Sequence, residues 1–328
     1  MANAFSKEER VAFEDLLEGF HDALVLSRNV GIYNTDQTMM ARTNDTIWRP
    51  MPYIAQSISS TPGSTIAGSY QDMTQLSVPA TIGFSRTVPW TMTTLDLRDA
   101  LQEGRLGEVA KQKLASDINL AIMNAAANLG SLVVDIGAAA GTYDDVALCD
   151  SIMNEQGVAD YDRYLALSSR DYNGLAGNIA GAAAAATRSF GGNKSNTAFE
   201  RSFVGMVAGF ETFKFDYANR LTGAAGGATL IDTQVGAANF FVPAATSTAV
   251  SGETQNVDNR FQTITVDNTV GVAAGDAFTI SGVEAVHHIT KQGTGQPKTF
   301  RVVSVTNGTD MVITPPIISA QGGSDAEL

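Results

Sequence analysis

The run "GAAGGA" at residues 223–228 constrains this chain more than any other stretch. Six residues with no side chain beyond a methyl cannot cover a core, and the glycines among them impose no single backbone shape. The run therefore reads as an exposed link. Before it, helical and strand patterns interleave. After it, helical periodicity is almost absent as far as Leu328. A break of this kind marks a domain boundary. It predicts a mixed α/β or α+β body followed by a small all-β unit.

In the all-β unit, strands are predicted at 240–242, 261–266, 277–280, 299–305 and 311–313. Turn signals at Gly252, Gly275-Asp276, Gly293 and Asn307-Gly308 separate them. Short strands at such spacing suit a small barrel or sandwich. Alternation puts Ile264 with Val266, Phe278 with Ile280, and Met311 with Ile313 on single strand faces. Phe261 falls opposite Ile264, so its burial requires a bulge or an end position.

Before the link, the clearest helix covers residues 6–28. Ser6 and Glu9 form a capping box, and Phe13, Leu17, Phe20 and Leu24 make one apolar stripe. Glu8, Glu9, Glu14, Asp15, Glu18 and Asp22 crowd the remainder. That acidic face is either solvated surface or a docking face for a basic partner. Residues 46–54, "TIWRPMPYI", are β-formers broken by Pro50 and Pro52, which fits an arm or an edge strand. A tip at Pro62-Gly63 and a returning strand pattern over 75–93 describe a long two-stranded loop.

A second helix is predicted over 95–129, with Ala110, Leu114, Ile118, Ala121, Ile122, Ala125 and Leu129 at helical spacing. Gly104 and Gly107 weaken its first third, and Gly130 suits its stop. "SLVVDIG", from Ser131, reads as a buried strand or a helix end. A helix over 143–158, a central strand over 162–169, an alanine-rich helical stretch after it and a strand over 207–215 complete this half.

Composition excludes several functions. A net charge of −13 argues against a tight nucleic-acid binder, because phosphate binding needs clustered cations. A single cysteine, Cys149, permits no intrachain disulfide. "MANAFSKEER" carries no signal-peptide core, and no run of about 18 apolar residues exists. The expectation is a soluble chain, cytoplasmic when made, with no membrane contact.

Nothing in the chain predicts catalysis. His287 and His288 are neighbours, which on a strand face opposite ways, so they read as solvated loop residues and not as a metal site. "GGNKSN" lacks the glycine that a phosphate loop needs directly before its lysine. Cys149 has the helical apolar context of a buried structural thiol, and no GxSxG occurs. No catalytic residue, cofactor site or metal site is assigned.

Several stretches, taken in order, resemble a known family. They are "NDTIWRP", the strand loop, "LDLRD" at 95–99, the helix ending "ANLGSLVV", "VAGF" at 207–210, and "NVDNRF" at 256–261. "GD" at 275–276, "SGV" at 281–283 and "VVSVTNGT" with "ITP" over 302–315 follow. This order is similar to the major capsid (coat) protein of tailed phages, closest to the short-tailed Salmonella phages of the P-twenty-two group. The last four motifs belong to that group's inserted domain.

The resemblance implies an α+β Hong Kong 97-type capsid fold with an inserted small all-β, barrel-like domain. It implies an N-terminal arm (1–48), an extended loop (49–93), a peripheral-domain spine helix (94–130), part of an axial domain (131–221) and the inserted β-barrel domain (222–328). By the same analogy the chain is a structural protein, not an enzyme. It self-assembles into pentamers and hexamers of an icosahedral shell around double-stranded DNA, enclosed without sequence-specific binding. Its other partners would be a scaffolding protein during assembly, a portal protein at one vertex and a decoration protein. Its place would be the virion, after assembly in the host bacterial cytoplasm. The acidic residues Glu8 to Asp22 are the implied scaffold-binding face. In the family the chain returns from the insertion to complete the axial and peripheral domains, whereas this sequence stops at "GGSDAEL". Either a returning segment follows or the chain is unusual. The rival readings are a phage tail or adhesin-type binding module and an uncharacterised enzyme with a β accessory domain.

Overall fold

The computed structural model describes residues 26–31, 46–51, 60–68, 75–81, 85–89, 100–136, 141–185, 201–215, 241 and 243–317. Residues 6–25 of the helix expected over 6–28, all six of its acidic site residues, "GGNKSN" and the "GAAGGA" link lie outside these; its last described residues enter a 3-10 turn at Ser27–Asn29. Helices and several separate sheets make the protein α+β. The backbone divides into two compact units, Met1–Asp45 with Thr81–Ala126, and Thr46–Ala80 with Ala127–Leu328.

In the first unit the main element is helix α1, Ala100–Leu129, whose last turn runs on into the second unit. Its 30 residues span about 45 Å at the helical rise. It runs unbroken through Gly104 and Gly107, so the weakness of two glycines is overridden. Ala110, Ala115 and Asn119 are buried, while Ala125 and Leu129, members of the predicted stripe, are exposed. The Leu26 N–H donates to Asn119 Oδ1 at 3.3 Å, tying a single 3-10 turn at Ser27–Asn29 to the helix.

Among the described residues the second unit contains four sheets. Strands β1 (Thr46–Pro50) and β2 (Ser77–Thr81) form a two-stranded sheet, in which both strands are edges and Pro50 and Pro79 are tolerated. Near its base Met51 N donates to Leu76 O at 2.8 Å, and Leu76 is buried. Thr61–Ser64 closes a type II turn, with Gly63 at φ +84° and Ser64 N donating to Thr61 O at 2.9 Å.

A βαβ arrangement follows. Helix α2 (Tyr143–Glu155) starts at a Thr142–Asp145 capping box. It ends with Gly157 N donating to Asn154 O and Val158 N donating to Met153 O, around Gly157 at φ +78°. That is a Schellman stop. Strand β3 (Tyr164–Ser168), helix α3 (Ser169–Ala185), β4 (Met206–Val207) and β5 (Phe210–Phe215) follow. The sheet order is β3-β5-β4, with β3 parallel to β5. The strand predicted as central is therefore an edge among the described strands, and β5 holds the centre. The single strand predicted over 207–215 is a hairpin. Ala208 and Gly209, at φ +45° and +83°, form its two-residue turn. Val146, Leu167, Tyr172, Leu175, Val204 and Phe210 build the core of this half.

The strands beyond residue 243 form two further sheets. β6 (Thr246–Thr248) pairs with β7 (Thr254–Asn256) in a wholly exposed ribbon. β8 (Gln262–Thr265), β9 (Ala277–Val286), β10 (Gly293–Val305) and β11 (Asp310–Thr314) form an antiparallel sheet in the order β8-β11-β10-β9. Ile264, Val266, Ile280, Phe300, Val302, Met311, Ile313 and Ile317 are its core. Phe278 is only half-buried and stacks on Phe300, with ring centroids 5.7 Å apart. Phe261 sits just before β8, half-buried.

Candidate functional site

The most distinctive motif, "NVDNRF", is a folding device. Asn259 is buried, and its amide reproduces a strand partner. Its Oδ1 accepts from Ala244 N at 3.0 Å and its Nδ2 donates to Ala244 O at 2.9 Å. Asp258 and Arg260 form a two-bond fork, with Arg260 Nε donating to Oδ1 at 2.8 Å and Nη2 to Oδ2 at 2.7 Å. The guanidinium then lies 5.1 Å from the centre of the Phe261 ring. Burial alone would raise the Asp258 carboxyl, and the bonds and charge of Arg260 together bring it below its usual value.

The other motifs close turns. Gly275 takes φ +94°, and Asp276 Oδ2 accepts from Ala273 N at 2.7 Å. Asn307 Oδ1 accepts from Thr309 N and Asp310 N at 2.8 and 2.7 Å, shaping the β10–β11 turn. Asp310 in turn accepts from Thr265 Oγ1 and from Asn307 Nδ2, which hold its carboxyl below the usual range.

A seam joins the β9–β10 hairpin to the α2 half of the same unit. At its root, Arg301 Nε donates to Gly130 O at 3.0 Å and Thr299 Oγ1 to Ser131 O at 2.6 Å. These contacts explain why the "SLVVDIG" stretch, predicted as strand or helix end, is neither. Its described residues, 131–136, form no ladder, and its first carbonyl accepts from a β10 side chain. At its tip, Lys298 Nζ donates to Gln156 Oε1 at 3.0 Å and His288 N to Gln156 O at 3.2 Å. Burial depresses the Lys298 ammonium. A cleft of about 290 Å³, lined by Leu132, Leu148, Ile152, Ala285, Pro297 and Lys298 among others, lies along the seam.

His287 differs from its expectation as a solvated loop residue. It is half-buried, and its ring packs on Gly157, where an added Cβ would stand 3.0 Å from the imidazole. His288 is exposed, as expected of a loop residue. Among the described residues no group of three or more His, Cys, Asp or Glu is placed to hold a metal. Cys149 is half-buried against the core of its half, and burial followed by the charge of Asp145 raises its thiol. Such a thiol is a poor nucleophile.

Arg163 was invisible to sequence reasoning, because a lone arginine before a strand carries no pattern. It is buried and donates to Asp150 Oδ1, Asn154 Oδ1, Val158 O and Ala159 O, so it clips the end of α2 to the start of β3. Among the described residues, the polar side chains named above make turns, a seam and a clip.

The chain matches the family model described as "P22 coat protein - gene protein 5" over residues 1–327. It belongs to the P22 coat protein family. Coat proteins of this family are structural and non-enzymatic, and the chain has a structural role in a phage capsid. Among solved structures it is similar to a "CUS-3 coat protein I-domain", with 42% identity over 24% of this chain and 68% of that chain, at a TM-score of 0.20. Among the described residues no helix is long and apolar enough to cross a membrane.

Proposed function

We propose that this chain is a shell subunit of the Hong Kong 97 type, which assembles into pentamers and hexamers and encloses double-stranded DNA. In this reading residues 1–48 are an arm, 49–93 an extended loop and 94–130 the spine helix. Residues 131–221 are part of an axial domain, and 222–328 an inserted barrel-like domain. Assembly takes place in the host bacterial cytoplasm, with a scaffolding protein bound to the acidic face of residues 6–28. A portal protein occupies one vertex, and a decoration protein binds the finished shell.

The β1–β2 ribbon is the observation that most supports this. A two-stranded sheet is marginal alone, and most of β1 and all of the Thr61–Gly68 tip are exposed. Such a ribbon gains its burial from a neighbouring copy, as interfaces between subunits do. The test is expression of the full gene with its neighbouring phage genes, followed by sedimentation and electron microscopy. Shells are the expected product. A strict monomer at every concentration would remove the reading.

A further inference from the structure

We infer that Asn307-Gly308, in the β10–β11 turn, is a site of spontaneous modification, where the fold holds the Asn307 amide for attack by the Gly308 nitrogen, with loss of ammonia and formation of isoaspartate or aspartate. The chain contains this dipeptide twice, at 173–174 and at 307–308, and both of its residues are exposed in each case. Exposure therefore does not separate the two sites, but backbone geometry does.

Asn307 Oδ1 accepts three hydrogen bonds, from Thr309 N at 2.8 Å, Thr309 Oγ1 at 3.1 Å and Asp310 N at 2.7 Å. The bond to Thr309 N closes a side-chain turn around Gly308. Cγ, one carbonyl bond behind Oδ1, is thereby kept beside the Gly308 nitrogen, close to attack. That nitrogen is the nucleophile, and its N–H donates to no acceptor among the described residues. Gly308 has no side chain to block the approach, and the space where a Cβ would stand is open. Asn173 is placed otherwise. It lies inside α3, where the Gly174 N–H belongs to the helical ladder. Its Oδ1 is drawn to Ser202 Oγ at 2.8 Å and to Lys214 Nζ at 3.1 Å.

The reaction needs only water and hydroxide. The Gly308 N–H gives its proton to hydroxide, and the nitrogen lone pair forms a bond to Asn307 Cγ. The carbonyl electron pair moves onto Oδ1, where the three donors stabilise the negative charge. On collapse the Cγ–Nδ2 bond breaks, and that nitrogen takes a proton from water and leaves as ammonia. Water then opens the five-membered imide. Cleavage of the bond from Gly308 N to Cγ gives aspartate. Cleavage of the bond from Gly308 N to the main-chain carbonyl carbon gives isoaspartate, whose backbone is one methylene longer.

Neither product reproduces the turn. Asn307 Nδ2 donates to Asp310 Oδ2 at 2.7 Å, and a carboxylate in its place meets that carboxylate with no donor between them. The turn also anchors the chain after β8. Val266 N donates to Thr309 O at 2.7 Å, Thr269 N to Gly308 O at 3.0 Å and Thr269 Oγ1 to Asn307 O at 2.8 Å. An added methylene shifts these carbonyls away from their donors.

Storage of the full folded chain in heavy-oxygen water at mildly alkaline pH tests this, read by peptide mass spectrometry and by enzymatic methylation of isoaspartate. Acid forms carrying heavy oxygen should accumulate at 307 and not at 173. The Val266 and Thr269 amides should lose protection from hydrogen exchange in step. In denaturant the two positions should convert at similar rates, with 307 no faster than in the folded chain. Gly308→Ala fits the open space and should slow the conversion. Thr309→Val removes one donor to Oδ1 and should slow it by about two- to tenfold, the rate equivalent of one net hydrogen bond. Conversion at 307 no faster than at 173 in the folded chain, or faster in denaturant than in the fold, overturns the inference.

Discussion

The side chain of Asn259 and the backbone of Ala244 exchange two hydrogen bonds, at 3.0 and 2.9 Å, as two strand residues would. A third bond, from Nδ2 to Val257 O at 3.3 Å, completes the amide. Asn259→Ala removes both bonds to the exposed Ala244 backbone. The expected loss is about 0.5–1.5 kcal/mol for each bond, the net worth of a hydrogen bond whose remaining group can turn to water. Asn259→Asp keeps the acceptor but removes the donors, so it should also destabilise. Urea denaturation followed by fluorescence measures both. Unchanged midpoints would mean that water replaces the amide freely.

Phe300 and Phe278 separate cleanly. Phe300 is 1% exposed, at the centre of the sheet core, while Phe278 lies at its margin. Phe300→Ala should cost roughly 3–5 kcal/mol, and Phe278→Ala clearly less. The first figure is a large share of the stability of a small domain. Equal losses from the two variants would contradict the packing described.

Lys298 gives a pH dependence at the alkaline end. Burial holds its ammonium below its usual range. Between that lowered value and the unfolded value of about 10.4, the unfolded chain holds more protons than the folded one. Stability from this group therefore rises with pH across that window, and below it the penalty of a buried charge is present in full. Lys298→Met should be flatter than wild type in a series of denaturation midpoints from about pH 7 to about pH 10. Parallel curves would show that the ammonium stays solvated.

The proposed scaffold-binding role of Glu8, Glu9, Glu14, Asp15, Glu18 and Asp22 is testable through salt. Exposed ion pairs contribute only about 0.2–1 kcal/mol each and are screened. Scaffold binding should weaken as salt rises, and Glu14→Lys with Asp15→Lys should reduce co-assembly. Shell yields equal to wild type would leave this face as solvated surface.

Much of the fold was legible where patterning is local. Alternation located β8 and β11 to within a residue or two, and the inward pairs Ile264/Val266 and Met311/Ile313 are buried. The turn chemistry at Pro62-Gly63, Gly275-Asp276 and Asn307-Gly308 is present as read. What escaped depends on tertiary contact. The β9–β10 hairpin is longer than predicted, because Gly282, Gly293 and Gly295 look like stops while the partner strand carries the ladder past them. The turn at Ala208-Gly209 was hidden, because it carries no Asn-Gly or Asp-Gly signature and β4 is only two residues long. The seam and the Arg163 clip join residues far apart in sequence or carry no pattern, so only coordinates could place them.

The pairing of β3 with β5 sets a sequence of events in time. These strands are parallel, with all of α3 lying between them, whereas β4–β5, β9–β10 and β10–β11 are antiparallel and joined by short connections. Parallel neighbours meet only after a long loop has closed, and that entropy is lost before any ladder bond repays it. The β9–β10–β11 strands and the β4–β5 hairpin can form while β3 is still free. A newly made chain would thus pass through a stage in which β5 has one open edge and these three strands are already paired. During that interval the edge of β5 is the surface on which crowded copies would pair wrongly.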